Sequence, residues 1–326
     1  MIPKKRSLPK PSVEATHRVV RRTIKRRPKC SPVPLIRMAC GCLVILWTLL
    51  LVCSTPSLPR KLEIAQETTV VHVLQTRFMQ FQPHLVALGW ARLRLFQMIT
   101  FPSVTHQTTS DFLWIIRADP QLDSDIRKEL VRMVSTYPNI ILVGSNNNPE
   151  GFRTLDCIDD ITPESLWAGS REILLSYHQA AQTHVLLESR LDADDALLLD
   201  WAALLQADAA QRIAAHPDSW LVYCAENHIE WQYDSPWNST THQGSLVGLR
   251  AKHCVTAGLT WGYAPGVGLH DTGIVERRHQ TIHQAVARCE SRTQSSCLVR
   301  VDPPGKIPMA LRARTPTSAG VSAFFE

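Results

Sequence analysis

Short apolar runs that alternate with helical segments most limit how this chain can fold. Four runs rich in β-branched residues predict buried strands at residues 69–74, 112–116, 140–143 and 184–188. Apolar spacing predicts helices at residues 90–99, 123–136, 165–182 and 197–215. Because strands and helices alternate, the chain is predicted to have an α/β fold with a mainly parallel sheet flanked by helices.

Three carboxylates follow the fourth predicted strand, in a segment that reads ESRLDADD from Glu188 to Asp195. Their mutual repulsion is costly unless a cation or hydrogen-bond donors compensate it. At the carboxyl end of a strand, where ligands of such folds bind, Asp192 and Asp194 could coordinate Mn²⁺ or Mg²⁺ together with substrate phosphates. Arg190 could contact a phosphate. The alternative is that Asp194 or Asp195 simply caps the next predicted helix.

A basic arm and an uncharged apolar run lie near the N-terminus. The first 37 residues contain twelve Lys and Arg and one acidic residue, whereas the remainder contains 23 basic and 28 acidic residues. With its flanks, the run MACGCLVILWTLLLV at 38–52 reaches the lower limit for a membrane span, and basic residues on its N-terminal side predict a type II orientation. The apolar run argues against nucleic acid as a partner of the basic arm and favours the lipid bilayer.

These features divide the chain into four segments. They are a disordered basic cytosolic tail (1–34), a single signal-anchor transmembrane helix (35–54), a stem (55–68) and a lumenal domain (69–326). A cleaved signal peptide or an organelle transit peptide is the alternative to the anchor. A short anchor suits the thinner early secretory membranes, which predicts an endoplasmic reticulum or Golgi location.

The cysteines and one sequon agree with a lumenal domain. Five cysteines follow the stem, enough for two disulfides in an oxidising compartment, and Cys289 with Cys297 is a candidate pair. Unpaired buried cysteines are the alternative. Asn238 begins an Asn-Ser-Thr sequon, which predicts a glycoprotein.

Four short motifs together resemble one enzyme family. They are TRF at 76–78, FPSVTHQ at 101–107, RLDADDA at 190–196 and LRARTPTSAG at 311–320. In this order and spacing they resemble the rhamnosyltransferase-like family of glycosyltransferases, across about residues 69–320. The resemblance implies a Rossmann-related GT-A fold and metal-dependent transfer of a sugar from a nucleotide-sugar donor to a glycan or glycoconjugate acceptor.

The resemblance also implies roles for the residues around the first and fourth predicted strands. Thr76 and Arg77 would lie beside the nucleotide base or ribose. Asp192 would approach the ribose or the metal, Asp194 the metal, and Asp195 the donor sugar or the metal. A salt bridge at the sheet edge is the alternative for Arg77.

Near the C-terminus, Arg312 and Arg314, with Thr315 and Ser318, would close over the diphosphate. A solvated basic tail is the alternative for this group. An inverting enzyme also needs a base for the acceptor hydroxyl, and Asp271 is the candidate. The alternatives to Asp271 are Glu226, Glu230 and Asp234.

Two other functions are alternatives to glycosyl transfer. A catalytically inactive, membrane-anchored relative could bind glycans or hold partner enzymes together. A phosphatase with an aspartyl nucleophile is disfavoured, because Asp195 stands where such enzymes need Thr or Val.

Overall fold

A large mixed sheet covered by helices forms the centre of the molecule. The computed structural model describes residues 70–147, 154–213, 220–232, 245–250, 254, 256–267, 286–287, 290, 297–303, 305 and 307–315. Its strands are β1 (Val70–Phe78), β2 (Leu113–Ala118), β3 (Ile140–Gly144), β4 (Leu166–Ala168), β5 (Val185–Arg190), β6 (Ala196–Leu197), β7 (Trp220–Ala225), β8 (Asn227–Gln232), β9 (Ser245–Arg250), β10 (Leu259–Tyr263), β11 (Leu298–Val301) and β12 (Ala310–Arg314).

The helices are α1 (Val86–Leu95), α2 (Phe101–Thr105), α3 (Ser124–Val134), α4 (Arg171–Ala180) and α5 (Trp201–Arg212). A π-helical turn, Phe96–Thr100, joins α1 to α2, and a 3₁₀ segment spans Thr154–Asp160. Helix α3 shows why these segments are helical. The Asp123 side chain accepts hydrogen bonds from the N–H groups of Asp125 and Ile126, and Ile126, Leu130 and Val134 bury one face.

The large sheet has the order β11-β7-β10-β5-β1-β2-β3-β4. Among these strands β4 and β10 run against their neighbours, while β1 is parallel to both β2 and β5. Strands β2, β3 and β7 are buried along their whole length, as expected for a sheet covered on both faces. The α/β fold predicted from the alternating runs is confirmed.

A second sheet stands beside the first, in the order β6-β12-β8-β9. Strand β12 pairs antiparallel with β6 and parallel with β8. Since β6 follows the acidic segment directly, this sheet brings β12, from the end of the chain, next to residues 192–195. The sequence patterns did not predict this second sheet.

The predicted helix at 165–182 is wrong in its first part. Residues Leu166–Ala168 form the edge strand β4, and the helix starts only at Arg171. Gly169 has a φ of +95°, a left-handed conformation that interrupts a helix, and the Ser170 side chain accepts the Glu172 N–H as an N-cap.

The predicted helix at 197–215 is also shorter than expected. Ala196–Leu197 form β6, and the helix runs from Trp201 to Arg212 with Asp200 at its N-cap. The interpretation of Asp194 or Asp195 as the cap of this helix is therefore wrong, because both residues lie before β6.

The described part of the chain contains no helix that is both long and apolar enough to cross a membrane. The predicted tail, anchor and stem, with the sequon at Asn238, lie outside the described residues.

Two cysteines at strands β7 and β11 of the large sheet form disulfide bonds. Cys224 on β7 forms a disulfide with Cys254, 30 residues later, and Cys297, just before β11, is also disulfide-bonded. Cys289 lies outside the described residues, so its pairing with Cys297 stays a prediction.

Candidate functional site

A cleft of about 380 Å³ opens at the carboxyl ends of β1 and β5. These parallel neighbours pair up to Gln75 and Arg190, and the Leu191 N–H donates to the Gln75 carbonyl at 2.9 Å as the chain leaves β5. The chain then turns sharply, with the Asp195 N–H donating to the Asp192 carbonyl at 3.2 Å. We call residues 192–195 the acidic turn.

Three separate segments supply the walls of this cleft besides the acidic turn. They are the end of β1 with its following loop, helix α1 and strand β12. The lining residues are Arg77, Met79, Gln80, Phe81, Gln82, Arg92, Asp192, Ala193, Asp194, Asp195, Arg312, Ala313 and Arg314. Six of the residues selected from the sequence thus meet at one place, although they are far apart in the chain.

Within the acidic turn the three carboxylates differ in environment. Asp192 is exposed and Asp194 partly exposed, whereas Asp195 is buried and accepts the Ala313 N–H at 2.9 Å. Burial, reinforced by the charges of Asp192 and Asp194, raises the pKa of Asp195 well above its usual value, although the Ala313 bond and Arg312 act in the opposite direction. Asp195 therefore anchors the turn, while Asp192 and Asp194 present carboxylates to the cleft.

Carboxylate oxygens suit hard divalent cations, and Mg²⁺ is commonly bound by one or two carboxylates together with substrate phosphates. Among the described residues, no three or more His, Cys, Asp or Glu side chains are arranged to hold a metal ion. Asp192 and Asp194 supply two carboxylates at the cleft, so a cation held there would need water or substrate oxygens as its other ligands.

Two arginines on β12 face the acidic turn, and one glutamate orients both. An oxygen of Glu230, on the neighbouring strand β8, lies 3.4 Å from Arg312 Nη1 and 3.4 Å from Arg314 Nη2. Because residues 312 and 314 are two apart on one strand, both side chains project from the same face. Glu230 is thus engaged with the arginines, and Glu226, another candidate base, pairs with Arg250.

The loop after β1 holds an unusual conformation at the cleft. Met79 and Phe81 have φ values of 54° and 62°, left-handed for residues that carry a Cβ. A carboxylate oxygen of Asp119, at the end of β2, accepts the Phe81 N–H at 2.9 Å and an amide hydrogen of Asn146 at 2.8 Å. Such an outlier at a pocket is typical of a functional loop.

The sequence reasoning missed Arg92 of α1. This partly buried side chain donates from Nη1 to Gln82 Oε1 at 2.7 Å and approaches the Met79 sulfur at 3.4 Å. In such folds the loops that follow parallel strands line the ligand crevice. This rule predicts that residues 79–82, which follow β1, and the start of the next helix lie near the ligand.

Of the three other predicted site residues, Thr76 and Arg190 do not line this cleft, and Asp271 is not among the described residues. Thr76 is buried in the sheet, where its hydroxyl accepts the Trp114 indole N–H at 3.0 Å, so its position does not support the predicted nucleotide contact. Arg190 ends β5 outside the lining. Asp271 lies outside the described residues, and its role as the base stays a prediction.

Three solved structures are distant neighbours of this chain. The crystal structure of S. aureus TarS has a TM-score of 0.34 at 11% identity, covering 76% of this chain and 37% of that chain. The apo structure of the bifunctional glycosyltransferase WbbM has a TM-score of 0.25 at 10% identity, covering 50% and 24%. The glycosyltransferase GlyE of Streptococcus pneumoniae TIGR4 has a TM-score of 0.23 at 11% identity, covering 79% and 50%. The matches span half or less of each of these chains.

No curated protein matches the chain. A family model described as "Putative rhamnosyl transferase" matches residues 75–222, from the end of β1 through the acidic turn and into β7. The resemblance expected from the short motifs is thereby confirmed for residues 75–222, which are similar to the rhamnosyl transferase family, whereas the motif at 311–320 lies outside the match.

Proposed function

We propose that this chain is a metal-dependent glycosyltransferase that moves a sugar from a nucleotide-sugar donor to a glycan or glycoconjugate acceptor. The observation that carries the proposal is that the acidic turn and the arginines of β12 line one cleft side by side, joined by the hydrogen bond from the Ala313 N–H to Asp195. A cleft lined by both carboxylates and guanidinium groups fits a metal–diphosphate pair.

Arginine side chains bind the phosphates in this proposal. Arg312 and Arg314 are held in place by Glu230, so they meet a diphosphate with little loss of side-chain freedom. Arg77, exposed at the end of β1, lines the same cleft and contacts the nucleotide in this proposal.

The reaction breaks the bond between the sugar and the diphosphate and forms a bond from the same sugar carbon to the acceptor oxygen. The nucleoside diphosphate leaves with the electron pair, and the arginines stabilise the charge that develops on it. A divalent cation held by Asp192 and Asp194 would supply further charge neutralisation at the leaving group. The hydroxyl proton of the acceptor passes to a base, for which Asp271 is the candidate.

A comparison of two aspartate variants tests this function. The full-length chain in detergent is given a panel of sugar nucleotides with and without Mn²⁺, and release of nucleoside diphosphate is measured. We expect turnover that requires Mn²⁺ and that falls by roughly a hundredfold or more in Asp194→Ala, since a bound cation supplies several kcal/mol of stabilisation.

The matched control is Asp200→Ala, because Asp200 is exposed, lies outside the cleft and makes no side-chain cap bond. Its turnover should equal that of the wild type. Equal rates for Asp194→Ala and the wild type would refute the assignment. Sugar-nucleotide binding without turnover by any of the three proteins would instead favour the inactive glycan-binding relative.

We further propose a type II arrangement in the Golgi or endoplasmic reticulum membrane, anchored by residues 35–54, with the catalytic domain in the lumen. The Cys224–Cys254 disulfide supports an oxidising compartment. Carbonate-washed membranes should retain the chain, and endoglycosidase should shift its mobility unless Asn238→Gln is introduced. Soluble chain with no such shift would overturn this topology.

A further inference from the structure

Arg92 places another positive charge at the cleft, on the side of helix α1. The Arg92 guanidinium donates hydrogen bonds to Gln82 and Met79. Both acceptors are neutral, so these bonds orient the guanidinium but do not neutralise its charge. Burial lowers the pKa of Arg92, while attraction to Asp194 and Asp192 opposes that effect. Arg92 thus lines the same cleft as the two carboxylates proposed to bind the cation, and their negative charges act on its guanidinium.

A cation and Arg92 compete for the same negative charge. With few protein ligands beyond Asp192 and Asp194, a divalent cation that enters alone gains little and is repelled by the nearby guanidinium. A diphosphate changes this balance, because its oxygens attract both the guanidinium and the cation. Each ligand then raises the affinity of the site for the other, as linkage requires.

We propose that Arg92 makes the cleft select a cation and a diphosphate together by weakening the binding of the cation alone and strengthening that of the diphosphate. This inference rests on the proposed function. It assigns Arg92 a positioning and selectivity role that differs from the direct phosphate contacts of Arg312 and Arg314. A residue that only supported the fold would affect both ligands in the same direction, and that difference makes the inference testable.

The test titrates Mn²⁺ alone and inorganic pyrophosphate alone into the full-length protein by calorimetry. In Arg92→Met we expect Mn²⁺ to bind roughly threefold to tenfold tighter and pyrophosphate to bind weaker by a similar factor, the range of a partly exposed charge interaction. Arg94→Met is the matched control, because Arg94 lies on the same helix, is exposed and points to Gln97 instead of the cleft. Both affinities should be unchanged in that control.

Two further variants separate charge from packing. Arg92→Lys keeps the charge and should retain Mn²⁺ affinity near that of the wild type. Gln82→Glu puts a carboxylate against the guanidinium and should change both affinities in the same directions as Arg92→Met, even if the methionine variant does not fold.

Unchanged affinities in Arg92→Met, or weaker binding of both probes, would overturn the role of Arg92 and leave the proposed function intact. Absence of Mn²⁺ binding with pyrophosphate present, in the wild type as well, would overturn the metal site of the proposed function and this inference with it.

Discussion

A carboxylate oxygen of Asp195 accepts a 2.9 Å hydrogen bond from the backbone N–H of Ala313, a residue 118 positions later in the chain. Ala313 lies between the two arginines of β12, so the bond fixes the acidic turn against the strand that carries them. Strand β6, which follows the turn, also pairs with β12 through Ala196 and Leu197. The two charged walls of the cleft are therefore one connected structure.

Removing this carboxylate should weaken the fold. Asp195→Ala leaves the Ala313 N–H buried without its acceptor, which is expected to lower the free energy of unfolding by about 1–3 kcal/mol. Asp195→Asn keeps an acceptor oxygen and should lose less. Urea unfolding of both variants at neutral pH measures the difference, and an alanine variant as stable as the wild type would show that the bond does not hold the turn.

Glu230 should act on donor binding through the arginines that it orients. In Glu230→Gln the carboxylate is replaced by a neutral amide, so Arg312 and Arg314 lose a charged partner 3.4 Å away. We expect the KM for the sugar nucleotide to rise roughly threefold to tenfold with a smaller change in kcat, because the side chains must be ordered by the ligand itself.

The control for this prediction is Glu226→Gln, because Glu226 lies between β7 and β8 and, among the described residues, its carboxylate pairs with the exposed Arg250. Steady-state kinetics of the two variants should therefore differ. A large fall in kcat for Glu230→Gln at unchanged KM would mean that Glu230 serves the chemistry directly.

The sequence predicts the central strands of the large sheet because a strand buried on both faces is a nearly continuous run of apolar residues. Strand β3 is an uninterrupted apolar run and β2 is apolar except for Arg117, and the residue types alone place both strands within two residues of their observed bounds. The acidic turn was predictable for a related reason, since carboxylates directly after such a run stand at the ligand-binding edge.

The rest of the site depends on contacts that no local pattern encodes. Strand β12 reaches the acidic turn through pairing with β6 and β8, residues more than 80 positions away. The family resemblance alone therefore indicates Arg312 and Arg314, and a solvated tail is the alternative that the sequence leaves open. Helical spacing identifies the apolar face that packs on the core. It does not show which polar residue of the helix lines a cleft, so it does not indicate Arg92.

Gly144 at the end of β3 should not tolerate a side chain. A Cβ there would lie 2.1 Å from Cζ2 of Trp167, whose ring also packs under the Arg127 guanidinium. Gly144→Ala must push this ring aside, with an expected loss of about 1–3 kcal/mol in the free energy of unfolding. Gly248→Ala is the control, since a Cβ at Gly248 meets nothing within 4 Å. Thermal or urea unfolding of equal stability for the two variants would contradict this packing.

His72 should make the fold sensitive to mild acid. The ring is buried beneath the sheet, with Nε2 2.8 Å from the Ser189 hydroxyl, and burial lowers its pKa from 6.5 to about 3. Below about pH 6.5 the unfolded chain binds a proton at this position that the folded chain does not, so the stability contributed by neutral His72 is full above that pH. It is then lost progressively as the pH falls toward the folded pKa.

The size of this effect follows from the interval between the two pKa values. Between about pH 7 and about pH 5, His72 alone should lower the free energy of unfolding by about 2 kcal/mol. His72→Gln removes the titrating ring, so urea unfolding of this variant should lose correspondingly less stability over the same interval, whatever its stability at neutral pH. Because all other titrating groups are shared, an identical pH dependence in the two proteins would mean that folding does not shift the pKa of His72.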